Sequence, residues 1–167
     1  FTPWLYGERT PVEDRFLRGG FFNLSLGIQR AHFIRAVFEG VAYNTRWLLG
    51  AVEAFLEHRV DAIRFIGGGA RSAIWGQIMA DVLNRTILQV QEPQLAALRG
   101  VALLAGVALG GLTWEAIPER VPIAATFQPD PTYRALYDAM FQEFLAFYRA
   151  TRGIYRRLQR ILARGMV

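Results

Sequence analysis

The stretch Ile63-Arg64-Phe65-Ile66-Gly67-Gly68-Gly69-Ala70-Arg71-Ser72 decides the fold class. A short apolar run, Ala62 to Ile66, leads directly into three glycines. From Arg71 to Asn84 the apolar residues return at helical spacing, through Ile74, Ile78 and Val82. A run of this length ended by glycine reads as a buried strand, and the spacing after it as a helix. Three glycines leave the backbone N–H groups unobstructed and permit positive φ, so a flat or anionic ligand can reach the main chain. The helix that follows turns its positive end to the same place. This arrangement suits adenosine and phosphate, although a tight strand-to-helix turn with no ligand accounts for the glycines equally well. It is not the dinucleotide fingerprint, because no G-x-G-x-x-G follows the strand, and it is not a Walker loop, because the chain has no lysine.

Working outward, Thr86 to Val90 reads as a second strand stopped by Glu92-Pro93, and Leu95 to about Leu109 as a further helix. Upstream, a long helix is expected from about Arg30. Ile34, Val37, Phe38, Val41, Leu48, Val52 and Leu56 recur at three- and four-residue steps and predict one buried stripe. Gly40 interrupts it at some cost in propensity, which close packing against a neighbour would explain. Residues 1–27, punctuated by Pro3, Gly7, Pro11, Gly19 and Gly20, read as a loop-rich entry. After a proline-bearing connection, Asp130-Pro131 is expected to open a final helix, Asp130 as N-cap and Pro131 as first helical residue. Its apolar face would be Tyr133, Leu136, Tyr137, Met140, Phe141, Phe144, Leu145 and Tyr148. The order helix, strand, helix, strand, helix implies an α/β layer with parallel strands. Two parallel strands do not make a self-sufficient sheet, so residues 1–167 are expected to be one partial domain, with 130–164 its C-terminal helical segment and further strands upstream of Phe1. The absence of an initiator Met agrees with that expectation. Apolar surface left where those strands belong predicts self-association, a homodimer included.

Composition narrows the function classes. The 167 residues are 53% hydrophobic and 20% charged, a folded balance. There is no cysteine, which excludes disulfides and thiolate metal sites, and His32 and His58 have no partner at metal-ligand spacing. Leu95 to Leu112 holds a single charge, Arg99, and a Gly106-x-x-x-Gly110 pair. It is short for a membrane span and rich in Ala and Gly, so a buried helix lying close on a sheet is the expectation. The net charge is +5 and every cation is Arg. Six of these, Arg149, Arg152, Arg156, Arg157, Arg160 and Arg164, fall in the last stretch, where no acid occurs, so the body is near neutral. Arg149, Arg152, Arg156, Arg160 and Arg164 make a basic stripe. It offers a nucleic-acid or anionic-surface binding module as an alternative function, against the simpler reading of a solvated helix face. With no aromatic interleaving, neither a nucleic acid nor a membrane is expected as partner.

Four motifs in order carry a family resemblance. Pro3-Trp4-Leu5-Tyr6-Gly7-Glu8-Arg9-Thr10-Pro11 comes first. Gly20-x-Phe22-Asn23-Leu24 follows, with His32-Phe33 and Arg35-Ala36-Val37-x-Glu39-Gly40-Val41. The third is Gly67-Gly68-Gly69-Ala70-Arg71-Ser72-x-x-Trp75-x-Gln77-x-x-Ala80-Asp81-Val82, and the fourth Ala97-Leu98-Arg99-Gly100-Val101-Ala102-Leu103-Leu104-Ala105. Together they resemble the C-terminal part of FGGY-family carbohydrate kinases, in the form it takes among xylulose kinases. Asn23 and Val101 depart from the usual Gly and Ala; Asn tolerates the left-handed region, and Val only adds volume. The resemblance implies an actin-like, ribonuclease H-like α/β domain, and a cytoplasmic enzyme that uses ATP and Mg2+ to phosphorylate a sugar, D-xylulose. It also implies that Gly67, Gly68, Gly69, Ala70 and Ser72 line the adenosine and α-phosphate, with Arg71 either stacked on adenine or solvated. No metal ligand and no catalytic residue is expected in this chain; an N-terminal kinase domain would supply the base. Asp81 is expected to make a structural surface or capping contact, His32 to be packed or exposed, and Glu8 and Arg9 to fix their loop through a local ion pair.

Overall fold

The computed structural model describes residues 1–165, apart from the Arg164 side chain. It contains helix α1 (Arg30–Leu56), strand β1 (Ala62–Phe65), helix α2 (Ala73–Leu83), strand β2 (Thr86–Val90), helix α3 (Ala96–Ala108), strand β3 (Ile123–Phe127) and helix α4 (Arg134–Gly165). The strands form one sheet in the order β1-β2-β3. β1 and β2 are parallel, Phe65 facing Gln89, and β3 is antiparallel to β2 with a register shift at Gln89/Val90. The chain is therefore α/β with a mixed sheet, as the strand–helix alternation implied for its first two strands. β3 was not foreseen. Its Ile-Ala-Ala-Thr-Phe run is short and starts after Pro122, a residue compatible with an edge strand, which β3 is.

Two compact units divide the chain: Phe1–Arg59 with the chain from Pro131 onward, and Val60–Asp130. In the first, the core is aromatic. Trp4 is fully buried, with Phe144 at 5.3 Å and Tyr148 at 5.8 Å between ring centroids, and Trp47 lies 4.9 Å from Tyr148. Trp4 Nε1 donates to Asn44 Oδ1 (3.0 Å), and Asn44 Nδ2 donates to Glu8 Oε2 (2.7 Å), which ties the entry segment to α1. Glu8 Oε1 accepts the backbone N–H groups of Arg9 and Thr10, so the expected Glu8–Arg9 pairing runs through the Arg9 main chain instead of its guanidinium. His32 is exposed on the first turn of α1, where its Nδ1 accepts the Gln29 N–H (3.0 Å). Asn23 adopts φ 59°, the left-handed conformation that its side chain tolerates.

The stripe expected on α1 is corrected by the structure. Ile34, Val52 and Leu56 are exposed, and the buried positions are Gly40, Ala42, Tyr43 and Leu49. What meets the rest of the unit is a face of small and aromatic residues. At Gly40 the Phe1 carbonyl occupies the space a Cβ would need, so the glycine does serve close packing. α4 begins three residues later than expected, because Pro131–Tyr133 form a 3-10 turn before it. Of its expected apolar face, Tyr137, Phe144 and Tyr148 are buried, while Tyr133, Leu136 and Met140 are exposed.

In the second unit the core is aliphatic: Ile78, Met79, Val82 and Leu83 of α2 with Ile87 and Val90 of β2. Two expectations of burial fail here. β1 alternates exposed and half-buried residues, because its successive side chains point to opposite faces of the sheet and one of these faces is uncovered. α3 has no buried residue: Ala96, Arg99, Gly100 and Leu103 line a pocket with Arg64 of β1 and Val90 of β2, and a Cβ at Gly100 would meet nothing within 4 Å, so the close packing expected there is not made. Asp81 is buried, not at the surface. Its Oδ1 accepts the Asp130 N–H (2.9 Å) and Gln77 Nε2 (2.8 Å), which makes the capping contact.

Candidate functional site: the glycine loop after β1

β1 delivers Ile66 and Gly67 to a 3-10 turn, Gly68–Arg71, and Ser72 starts α2. Gly67 sits at φ 88°, ψ 177°, a conformation essentially restricted to glycine. Its N–H donates to the Pro93 carbonyl (2.7 Å) and its own carbonyl accepts the Ala70 N–H (3.2 Å). That bond is the first of the turn, so the N–H groups of Gly68 and Gly69 precede it and are left for solvent or a ligand. A Cβ at Gly67 or Gly68 would meet nothing within 4 Å, so the backbone is open to an approaching molecule there. At Gly69 a Cβ would strike the Trp75 ring, which forms the floor of the loop and stands edge-on to Phe65 at 6.1 Å.

The remaining residues of the loop have separable roles. Ala70 is fully buried and its carbonyl accepts Gln89 Nε2 (2.5 Å). Arg71 is exposed beside the turn. Ser72 is the N-cap of α2, its Oγ accepting the Trp75 N–H (3.2 Å) and its carbonyl the Gly76 N–H (2.9 Å). The six residues named from sequence thus form one contiguous turn with glycine N–H groups and space on its outer side. Sequence reasoning missed the two supports, Gln89 and Pro93. A lone amide inside the apolar run Thr-Ile-Leu-Gln-Val was the only signal for the first.

No group of three His, Asp or Glu that could hold a metal occurs among the described residues, and none of their helices is long and apolar enough to cross a membrane. The basic stripe is divided in its uses. Arg156 pairs with buried Asp14 (3.4 Å), Arg152 lies over the Tyr148 ring, and Arg149 and Arg160 are exposed. Arg164's side chain lies outside the described residues.

Comparison with known proteins gives the turn its context. A xylulose kinase of Staphylococcus epidermidis is 34% identical over 92% of this chain and 31% of its own length. A gluconokinase of Bacillus subtilis is 30% identical over 97% of this chain and 29% of its own. The crystal structure of xylulose kinase from Rhodospirillum rubrum superposes with a TM-score of 0.76 at 33% identity, covering 93% of this chain and 31% of that one. The chain thus spans about a third of the length of these relatives. Residues 1–109 match the C-terminal domain of the FGGY family of carbohydrate kinases, a span that contains the glycine loop and both its supports. The chain belongs to the FGGY family of carbohydrate kinases, as part of its C-terminal domain.

Proposed function

We propose that Gly67–Ser72 holds the adenosine and α-phosphate end of ATP, within a kinase that moves the γ-phosphate to a hydroxyl of D-xylulose. The observation that carries the reading is the pair of glycine N–H groups, Gly68 and Gly69, ahead of the first bond of the turn, with open space over Gly67 and Gly68. Main-chain donors at the start of a helical turn are a ready site for phosphate oxygens. Ala70 and Ser72 would shape the turn, and the exposed Arg71 would stack on the adenine.

The sugar assignment rests on the xylulose kinases among the relatives; a gluconokinase among them leaves the acceptor to be measured. The base that takes the acceptor's proton as its oxygen attacks the γ-phosphorus lies outside these 167 residues, so the chain alone should release no ADP in a sugar-dependent way. Mg2+ would arrive with the nucleotide. The setting we assign is the cytoplasm.

Calorimetric titration of the 167-residue chain with Mg-ATP tests the site, beside Gly68→Val. Position 68 has neither positive φ nor a neighbour within 4 Å, so valine leaves the fold intact while filling the approach. Saturable binding that weakens at least about tenfold in the variant is expected. A chain that melts cooperatively by circular dichroism yet binds no nucleotide, or a variant that binds equally well, removes the assignment.

A further inference from the structure

We propose that Gln89 is a positioning residue of the nucleotide loop, acting through the Ala70 carbonyl; the inference rests on the reading of Gly67–Ser72 as a nucleotide site. The turn is fastened at both ends by groups that come from β2 and the bend after it. At one end the Gly67 N–H is taken by the Pro93 carbonyl (2.7 Å), and at the other Gln89 Nε2 donates to the Ala70 carbonyl (2.5 Å). Pro93 and Ala70 are buried, so both fastenings are shielded from water. Between them lie the N–H groups of Gly68 and Gly69, the two that the turn does not use.

This placement matters because three successive glycines have little conformational preference of their own. Left to itself, Gly67-Gly68-Gly69 would populate many backbone states, and each would aim the two N–H groups differently. Trp75 limits the loop from below only at Gly69. Gln89 faces Phe65 in the β1–β2 register and Ala125 in the β2–β3 register, so its backbone is fixed by ladders on both sides. A strand paired on both sides fixes where the amide starts from, and its partner carbonyl, near the end of the 3-10 turn, would otherwise be a buried acceptor without a bond. The strand neighbouring the loop therefore sets the loop's shape, and Gln89 does so without touching the ligand.

Two variants separate this role from general packing. Gln89→Met keeps the length and removes the donor; Gln89→Glu keeps the shape and sets a carboxylate against the carbonyl. Amide hydrogen exchange at the bonded N–H groups of the turn, Gly67, Ala70 and Ser72, should accelerate about tenfold in Gln89→Met and more in Gln89→Glu, while exchange in the rest of α2 and the melting temperature stay close to wild type. Mg-ATP affinity should fall by a similar factor. Unchanged exchange in the loop overturns the positioning role whatever the nucleotide result, and so does faster loop exchange with unaltered Mg-ATP affinity. A wild-type chain that binds no Mg-ATP instead fails the nucleotide reading. The exchange comparison then still decides whether Gln89 holds the turn.

Discussion

In the unit built from Phe1–Arg59 and the chain from Pro131 onward, the contacts join residues far apart in sequence: Trp4 meets Phe144 and Tyr148, Tyr43 meets Phe144, and the half-exposed Asp138 pairs with Arg46. In Val60–Asp130 the contacts come from one short crossover, β1 to α2 to β2, with Gln89, Pro93 and Asp81 as polar fastenings. The first unit is held by large rings and ion pairs, the second by an aliphatic core whose loops are fastened by single hydrogen bonds. A ring removed from the first should therefore cost packing energy. A polar fastening removed from the second should change local order more than global stability.

The largest effect is expected at Trp4, which is fully buried and also donates from Nε1 to Asn44. Trp4→Ala removes an indole that packs on Phe144 and Tyr148 and takes the donor from Asn44 Oδ1. A loss of about 3–5 kcal/mol is expected by urea denaturation. A loss under about 1 kcal/mol would mean that the aromatic cluster can close over the gap, and the contrast between the units would weaken.

An intermediate effect is expected at Asp81. Asp81→Ala removes the side-chain acceptor of the Asp130 N–H and one of the two acceptors of the Gln77 amide, at about 2 kcal/mol, and should speed exchange at Asp130 above all. Asp81→Asn keeps an acceptor oxygen and should recover part of the loss. Equal losses for the two would show that the charge, and not the hydrogen bonds, holds the connection.

What could be read from the sequence follows the same division. The glycine turn was legible because strand, glycines and helix are adjacent in the chain, and the parallel pairing of β1 and β2 follows from a helix lying between them. The aromatic core was legible only on α4, where Tyr137, Phe144 and Tyr148 fall on the expected face. Trp4 and Trp47 give no periodic signal, and their partners lie about a hundred residues or more away. The errors of burial share one cause: apolar composition was read as a buried face. Ile34, Val52 and Leu56 on α1, and Leu98, Val101 and Leu104 on α3, are apolar and exposed, whereas Gly40 and Ala42 bury the α1 face. Within the site, the residues of the turn were legible, but not its supports, since Gln89 and Ala70 are joined by a fold that residue types alone do not specify.

The smallest effect concerns Tyr137 and separates the two kinds of fastening by pH. Tyr137 is buried, its hydroxyl donating to Glu39 Oε1 (3.0 Å) and accepting from Arg35 Nη2 (2.9 Å). Burial, and then the Glu39 carboxylate, push its phenol up to about 12 from an ordinary 10.0, against the pull of Arg35. A phenol raised by folding favours the fold in its neutral form. Its contribution is whole below the unfolded value of about 10 and is lost as pH climbs from there through about 12. Tyr137→Phe should lose about 1 kcal/mol at pH 7, where two hydrogen bonds disappear, yet its stability should fall less steeply than wild type's above pH 10. The slope should not vanish, because burial and Glu39 also raise the neighbouring Tyr43, whose ring centroid lies 6.2 Å from that of Tyr137. Urea midpoints measured from pH 8 to 11.5 decide the matter on either side of the ordinary phenol value, about 10. Parallel curves for the two proteins would place the alkaline sensitivity elsewhere in the aromatic unit.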